Sequence, residues 1–138
     1  MSEQEAARPV RASAEQVMHL LRQPALLPAW NPAFIRLTAD GPVTPGVQFP
    51  LRVRPGLAGS FEYVTLDPLM VGMRWSVAGL VEDSRWRVEP QTPGWSIVTH
   101  WLRRRGPLAS VLARADRGIA GLRLARLDEF LAGTPATP

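Results

Sequence analysis

The chain has 138 residues, enough for one core, with 46% apolar residues and no cysteine, so disulfides, thiolate metal sites and a cysteine nucleophile are excluded. Its formal charge is +4 and its basic residues are all arginine, but these mostly alternate with apolar residues or sit near acids, which argues against a nucleic-acid face. No apolar run is long enough to span a membrane, and the polar, acidic N-terminus lacks the charged-then-apolar order of a secretory signal. A cytoplasmic setting is therefore expected.

Residues 1–7 and 133–138 read as frayed, polar ends. A short strand is expected near residues 7–12. Ser13 then caps a helix over 14–22, with Gln16 at capping-box spacing and Val17, Leu20 and Leu21 as its buried stripe. Pro24 stops it, and residues 25–29 form a second short helix. A strand over 34–39 follows.

From Val47 the pattern has period two. Val47, Phe49, Leu51 and Val53 alternate with polar residues, and Pro50 argues for an edge or a bulge. Residues 60–66 place Phe61, Tyr63 and Thr65 on one side and Glu62 on the other, where Arg52 is expected to face it. Val71, Met73, Trp75 and Val77 alternate again. In 81–89, Glu82, Ser84, Trp86 and Val88 share a parity. In 95–103, Trp95, Ile97, Thr99 and Trp101 are read as facing in, with Ser96, Val98 and His100 outside. Gly106-Pro107 opens a helix of some 25 residues, with Leu108, Val111, Leu112, Ala115, Ile119 and Leu122 on one side. Leu124, Leu127 and Leu131 make a second stripe, available to the short helices or to a second copy in a homodimer. Strands in hairpin succession before one long helix predict an α+β fold, a curved antiparallel sheet of about seven strands wrapped around the C-terminal helix. The whole chain, 1–138, is expected to form one such domain, with an ordered core at about 8–132.

In this order the segments resemble the superfamily of polyketide cyclases/dehydrases, START lipid-transfer domains and the birch-pollen allergen, the helix-grip proteins. The resemblance rests on Val10 to Val17, on Leu26-Leu27-Pro28-Ala29-Trp30-Asn31-Pro32, and on Pro45-Gly46-Val47-Gln48-Phe49. It continues through Leu66-Asp67-Pro68, Met73-Arg74-Trp75, Trp86 to Pro90 and Gly106-Pro107-Leu108. The resemblance implies a cavity between sheet and long helix for a small hydrophobic ligand, without choosing between a cyclase/dehydrase and a non-catalytic carrier or sensor of a lipid, quinone or other apolar metabolite.

Within that frame Phe49, Leu51, Phe61, Met73, Trp75, Ser84, Trp86, Thr99, Trp101, Val111, Ala115 and Ile119 are the expected ligand contacts, or else core. Tyr63, the only tyrosine, is the candidate general acid or a buried hydroxyl bonded to backbone. Glu82 is the candidate base, its pKa raised by burial, or a solvated strand end. His100 is a weaker candidate, and His19 a solvated helix residue. Arg103-Arg104-Arg105 reads as a solvated rim, or as placing Arg103 at the pocket mouth. With two histidines and no cysteine, neither metal nor cofactor is expected.

Overall fold

The computed structural model describes residues 2–133. In chain order the described residues form β1 (Ser2–Val10), α1 (Ala14–Leu21), a 3₁₀ turn (Pro24–Leu26), α2 (Leu27–Trp30), β2 (Phe34–Leu37), β3 (Gln48–Val53), β4 (Leu57–Asp67), β5 (Met70–Val77), β6 (Leu80–Pro90), β7 (Ser96–Arg105), α3 (Pro107–Leu112) and α4 (Ile119–Ala132). The seven strands form one antiparallel sheet in the order β1-β7-β6-β5-β4-β3-β2. This is the helix-grip arrangement, with the helices gathered over one face.

The local reasons are those of the sequence. Ser13 accepts from the Gln16 backbone N–H at 3.1 Å, and the Gln16 side chain accepts from the Ser13 N–H at 2.9 Å. Val17, Leu20 and Leu21 are buried below that cap. Phe49, Leu51 and Val53 of β3, Phe61 and Tyr63 of β4, and Val71, Met73, Trp75 and Val77 of β5 all face the core. Pro50 lies not in an edge strand but next to one. Its carbonyl accepts from Thr38 just beyond the end of the four-residue β2, so its missing N–H falls where that short strand has run out. A bulge at Val64 shifts the β4–β5 register between Tyr63 and Thr65. Glu62 lies opposite Gln48 and Arg74 rather than Arg52, whose guanidinium turns to the Gly56 carbonyl.

Three expectations are overturned. The N-terminus is not frayed from residue 2 onward: Ser2–Val10 pairs with β7 along its whole length. The small or polar Ser2, Gln4 and Ala6 occupy the inner parity there, so no apolar alternation announced a strand. Ser96, Val98, His100, Leu102 and Arg104 of β7 are the buried residues, so Thr99 and Trp101 lie on the outer face. Trp101 donates to Glu3 at 2.8 Å and lies under the Arg85 guanidinium, 4.1 Å from its ring centre. The long helix is also broken, at 113–118. Gly118 adopts φ +81°, a left-handed turn open to glycine, and α4 starts after it. The 133–138 tail lies outside the described residues apart from Gly133.

The break keeps its backbone satisfied through Gln4. The Gln4 amide donates to the Asp116 carbonyl and accepts from the Ala120 N–H, both at 2.9 Å. Helix α4 packs mainly on β1 and β7 and against α2. Leu124 and Leu127 are buried in that contact, with Leu131 partly buried beside it. The second stripe is therefore core at Leu124 and Leu127 and partly covered at Leu131.

Gly106 joins β7 to α3 with φ +108°, and a Cβ there would sit 2.5 Å from the Gly79 carbonyl oxygen. Gly106→Ala is expected to lose about 2 kcal/mol of stability, read as a lower urea midpoint.

Candidate functional site

The sheet's inner face is filled along its middle and hollow at one end. In the middle, Phe34 meets Phe61 and Trp75 edge-on at 6.0 and 5.8 Å, Phe61 meets Tyr63 at 5.1 Å, and Trp30 meets Trp86 at 5.1 Å. Phe49, Leu51, Met73 and Ser84 are buried in the same layer. Of the expected ligand contacts, Phe49, Leu51, Phe61, Met73, Ser84 and Trp86 are buried and lie outside the lining of the cavity at the other end of the sheet.

At the other end a cavity of about 470 Å³ remains. Its walls are Pro32 and Ala33 after α2, Val53 to Leu57 between β3 and β4, and Trp75, Val77 and Leu80 of β5 and β6. Leu108, Leu112, Ala115, Ile119 and Leu122 close it from the helical side. Trp75, Ala115 and Ile119 are the expected contacts that line it, whereas Val111 points away and is 75% exposed. The Leu26–Pro32 segment builds one wall: Asn31 accepts from the Ala33 N–H at 3.0 Å, which turns Pro32 and Ala33 toward the hollow.

The polar part of the wall is Arg104, Asp116 and Arg123, with Arg54 at the exposed rim. Behind them lies Glu82, 1% exposed. Arg123 donates to both Glu82 oxygens at 2.9 Å from Nη1 and Nη2. Arg104 Nε donates to Glu82 Oε1 at 2.9 Å, and its Nη1 donates to Asp116 Oδ2. The Trp75 indole N–H donates to Glu82 Oε2 at 2.9 Å. Glu82 thus accepts four hydrogen bonds, three of them from guanidinium groups. Burial pushes its pKa up, but Arg123 and then Arg104 outweigh burial through charge and hydrogen bonds and hold it at about 2. Glu82 is neither the solvated strand end nor the raised-pKa base expected; it is a permanently charged anchor.

His100 lies opposite Trp86 in the ladder and stacks on its ring at 3.6 Å. Its Nδ1 is 3.1 Å from the Arg85 carbonyl and its Nε2 3.3 Å from Arg123 Nη1. A carbonyl only accepts and a guanidinium only donates, so the proton sits on Nδ1. Burial first and the Arg123 charge second lower its pKa to about 3, against the opposing pull of Glu82 and the Arg85 carbonyl. Tyr63 points in but away from the cavity: its hydroxyl donates to the Leu21 carbonyl at 2.7 Å, and burial pushes its pKa up.

Arg104, not Arg103, reaches the cavity. Arg103 and Arg105 lie on the outer face beside Asp83, at 4.0 and 3.4 Å. Among the described residues no three histidine or acidic side chains gather to hold a metal, and no helix is long and apolar enough to cross a membrane. Sequence reading missed Arg104, Asp116 and Arg123. The available signal was the β6–β7 hairpin, in which an inward Trp86 and Glu82 place His100 and Arg104, directly opposite, on the same face.

A family model described as polyketide cyclase / dehydrase and lipid transport matches residues 1–132. The chain belongs to that family. No curated protein matches it in sequence. Among solved structures it is similar to norcoclaurine synthase from Thalictrum flavum, with a TM-score of 0.71 at 14% identity over 97% of this chain and 95% of that one. A START superfamily protein from Mycobacterium smegmatis gives 0.69 at 20% identity, over 94% and 98%. The di-domain ARO/CYC BexL of the BE-7585A biosynthetic pathway gives 0.72 at 18% identity, over 97% of this chain and 48% of that one. At these identities the structural likeness establishes the fold, and the family establishes a helix-grip domain of the kind that takes hydrophobic molecules.

Two predictions follow from the ion network. Glu82→Gln leaves two buried guanidinium groups short of a counter-charge, and is expected to lower stability by about 3 kcal/mol in chemical denaturation. The pH dependence has a definite sign. Both folded pKa values lie below the ordinary ones, so the unfolded chain binds more protons and acid destabilises. The His100 contribution is present above about pH 6.5 and is lost toward 3; that of Glu82 is present above about 4.5 and is lost toward 2. Stability measured against pH is expected to fall from about 6.5 downward, and in His100→Phe the decline should start only near 4.5.

Proposed function

We propose that this protein binds a small, largely apolar organic molecule in the cavity between β5, β6 and the α3–α4 segment, and that it works as a carrier or sensor that returns the molecule unchanged. The observation that carries this reading is the pairing of a largely apolar 470 Å³ hollow with Tyr63, Glu82 and His100, the expected proton-transfer groups, each otherwise engaged. Tyr63 is spent on the Leu21 carbonyl, outside the cavity lining. Glu82 is fixed as a carboxylate by Arg104 and Arg123, and neutral His100 is fully buried behind them. A general acid or base works best with a pKa near the working pH, and these groups are driven away from it. A volume of this size fits a molecule of a few fused rings or a short acyl chain.

Cyclisation or dehydration, which the family's description includes, is the competing reading. It would rest on shape alone, with the walls folding a reactive chain into position. Native mass spectrometry of the purified protein, followed by incubation and re-analysis of the extracted molecule, separates the two. Recovery of an unaltered ligand supports carriage, and conversion overturns it.

Two variants locate the site. Ala115→Trp, at an exposed turn on the cavity wall, is expected to fill the space and weaken ligand binding at least about tenfold with little change in stability. Tyr63→Phe should lose about 1 kcal/mol of stability with its one hydrogen bond and leave ligand affinity unchanged.

A further inference from the structure

Arg104 and Arg123 both line the cavity, but they have different donors left to give. Arg123 uses Nη1 on Glu82 and His100 and Nη2 on Glu82, and its Nε is sealed in protein without a partner. Arg104 uses Nε on Glu82 and Nη1 on Asp116. Its Nη2 forms no hydrogen bond to any described residue, and it is not among the sealed atoms. The Arg104 side chain is 5% exposed, and its guanidinium carbon lies 5.6 Å from the centre of the Trp75 ring, which also lines the cavity. One unspent N–H donor group therefore belongs to a side chain that lines a largely apolar hollow beside a flat aromatic wall.

Charge decides which acceptor suits it. The two guanidinium groups face two carboxylates, Glu82 and Asp116, so the cluster is already balanced. A ligand carboxylate would bring a third negative charge out of water without a matching cation. Arg54 at the rim is exposed, so solvent screens what it could add. A neutral oxygen avoids that penalty and still takes a hydrogen bond from a charged donor.

We infer that Arg104 Nη2 is a specificity-determining donor, and that the preferred ligand is a planar apolar molecule with an uncharged carbonyl-type oxygen that this group holds while Trp75 covers the ring. The inference rests on the cavity binding an apolar ligand at all, and it adds the chemistry of the polar end.

The test uses three rigid probes of one shape: fluorene, fluorenone and fluorene-9-carboxylate, titrated calorimetrically into the full chain. Fluorenone is expected to bind about tenfold tighter than fluorene, and the carboxylate no tighter than fluorene. In Arg104→Lys, which keeps a positive charge for Glu82 and Asp116 but removes the planar fork, the ratio of fluorenone to fluorene affinity should fall to about one. Equal affinities for fluorene and fluorenone in the native chain, a carboxylate that binds tightest, or an advantage that survives in the lysine variant would each overturn the assignment. The native series decides the matter if the variant fails to fold. Failure of all three probes to bind would bring down the cavity's reading as a ligand site and this inference with it, an outcome distinct from three equal affinities.

Discussion

The carboxylate of Glu82 is the point on which this structure turns. It sits 1% exposed at the inner face of β6 and draws in Arg104 from β7, Arg123 from α4 and Trp75 from β5. Through Arg104 it also reaches Asp116 in the break between the two C-terminal helices. Buried ion networks add little net stability over an apolar filling of the same shape, because desolvation offsets much of the attraction. What this one does is fix position. Arg123 can complete its paired bonds to Glu82 only with α4 at one rotation and one height over the sheet. Asp116 meets Arg104 from the stretch where the chain has left the helical path before α4 begins.

The hollow lies beside that break. A continuous helix from Pro107 onward would have carried its apolar side along the sheet. Instead α3 ends at Leu112, the chain turns, and α4 settles over β1 and β7. The end of the sheet near Trp75, Val77 and Leu80 is left with Leu108, Leu112 and Ile119 around it but without a helix filling it. The same cluster that ties α4 and the break to the sheet supplies the polar patch of the wall.

The sheet was legible because period-two alternation is a direct statement about two faces, and β3 to β6 carry it in large apolar residues. The capping box at Ser13 was legible for a similarly local reason. The misreadings of β1 and β7 share one origin, which is small or polar residues at inner positions. In β1, Ser2, Gln4 and Ala6 hid a strand. In β7, His100 and Arg104 deflected the assignment toward Trp101, whose bulk looked like core but packs outside under Arg85. The helix break was read through because the alanines and arginines of 113–117 favour a helix; Gly118, left-handed at the start of α4, was the local signal, and Arg104 and Gln4 hold the turn through the Asp116 carboxylate and carbonyl. Of the site, Trp75, Ala115 and Ile119 were on the page, along with the inward parity of Glu82. The meaning of Glu82 depended on two arginines that no local pattern connects to it.

The bond from Gln4 to Ala120 joins positions separated by 116 residues. The first strand pairs with the seventh, and the clamp that secures the helix break joins residues far apart in sequence. A nascent chain on the ribosome therefore holds an unfinished sheet edge and a half-formed charge cluster until α4 has been made. Contacts so distant in sequence slow the closing step, and during that interval the exposed apolar face is open to chaperones or to aggregation. Synthesis order thus becomes part of how this molecule reaches its final form.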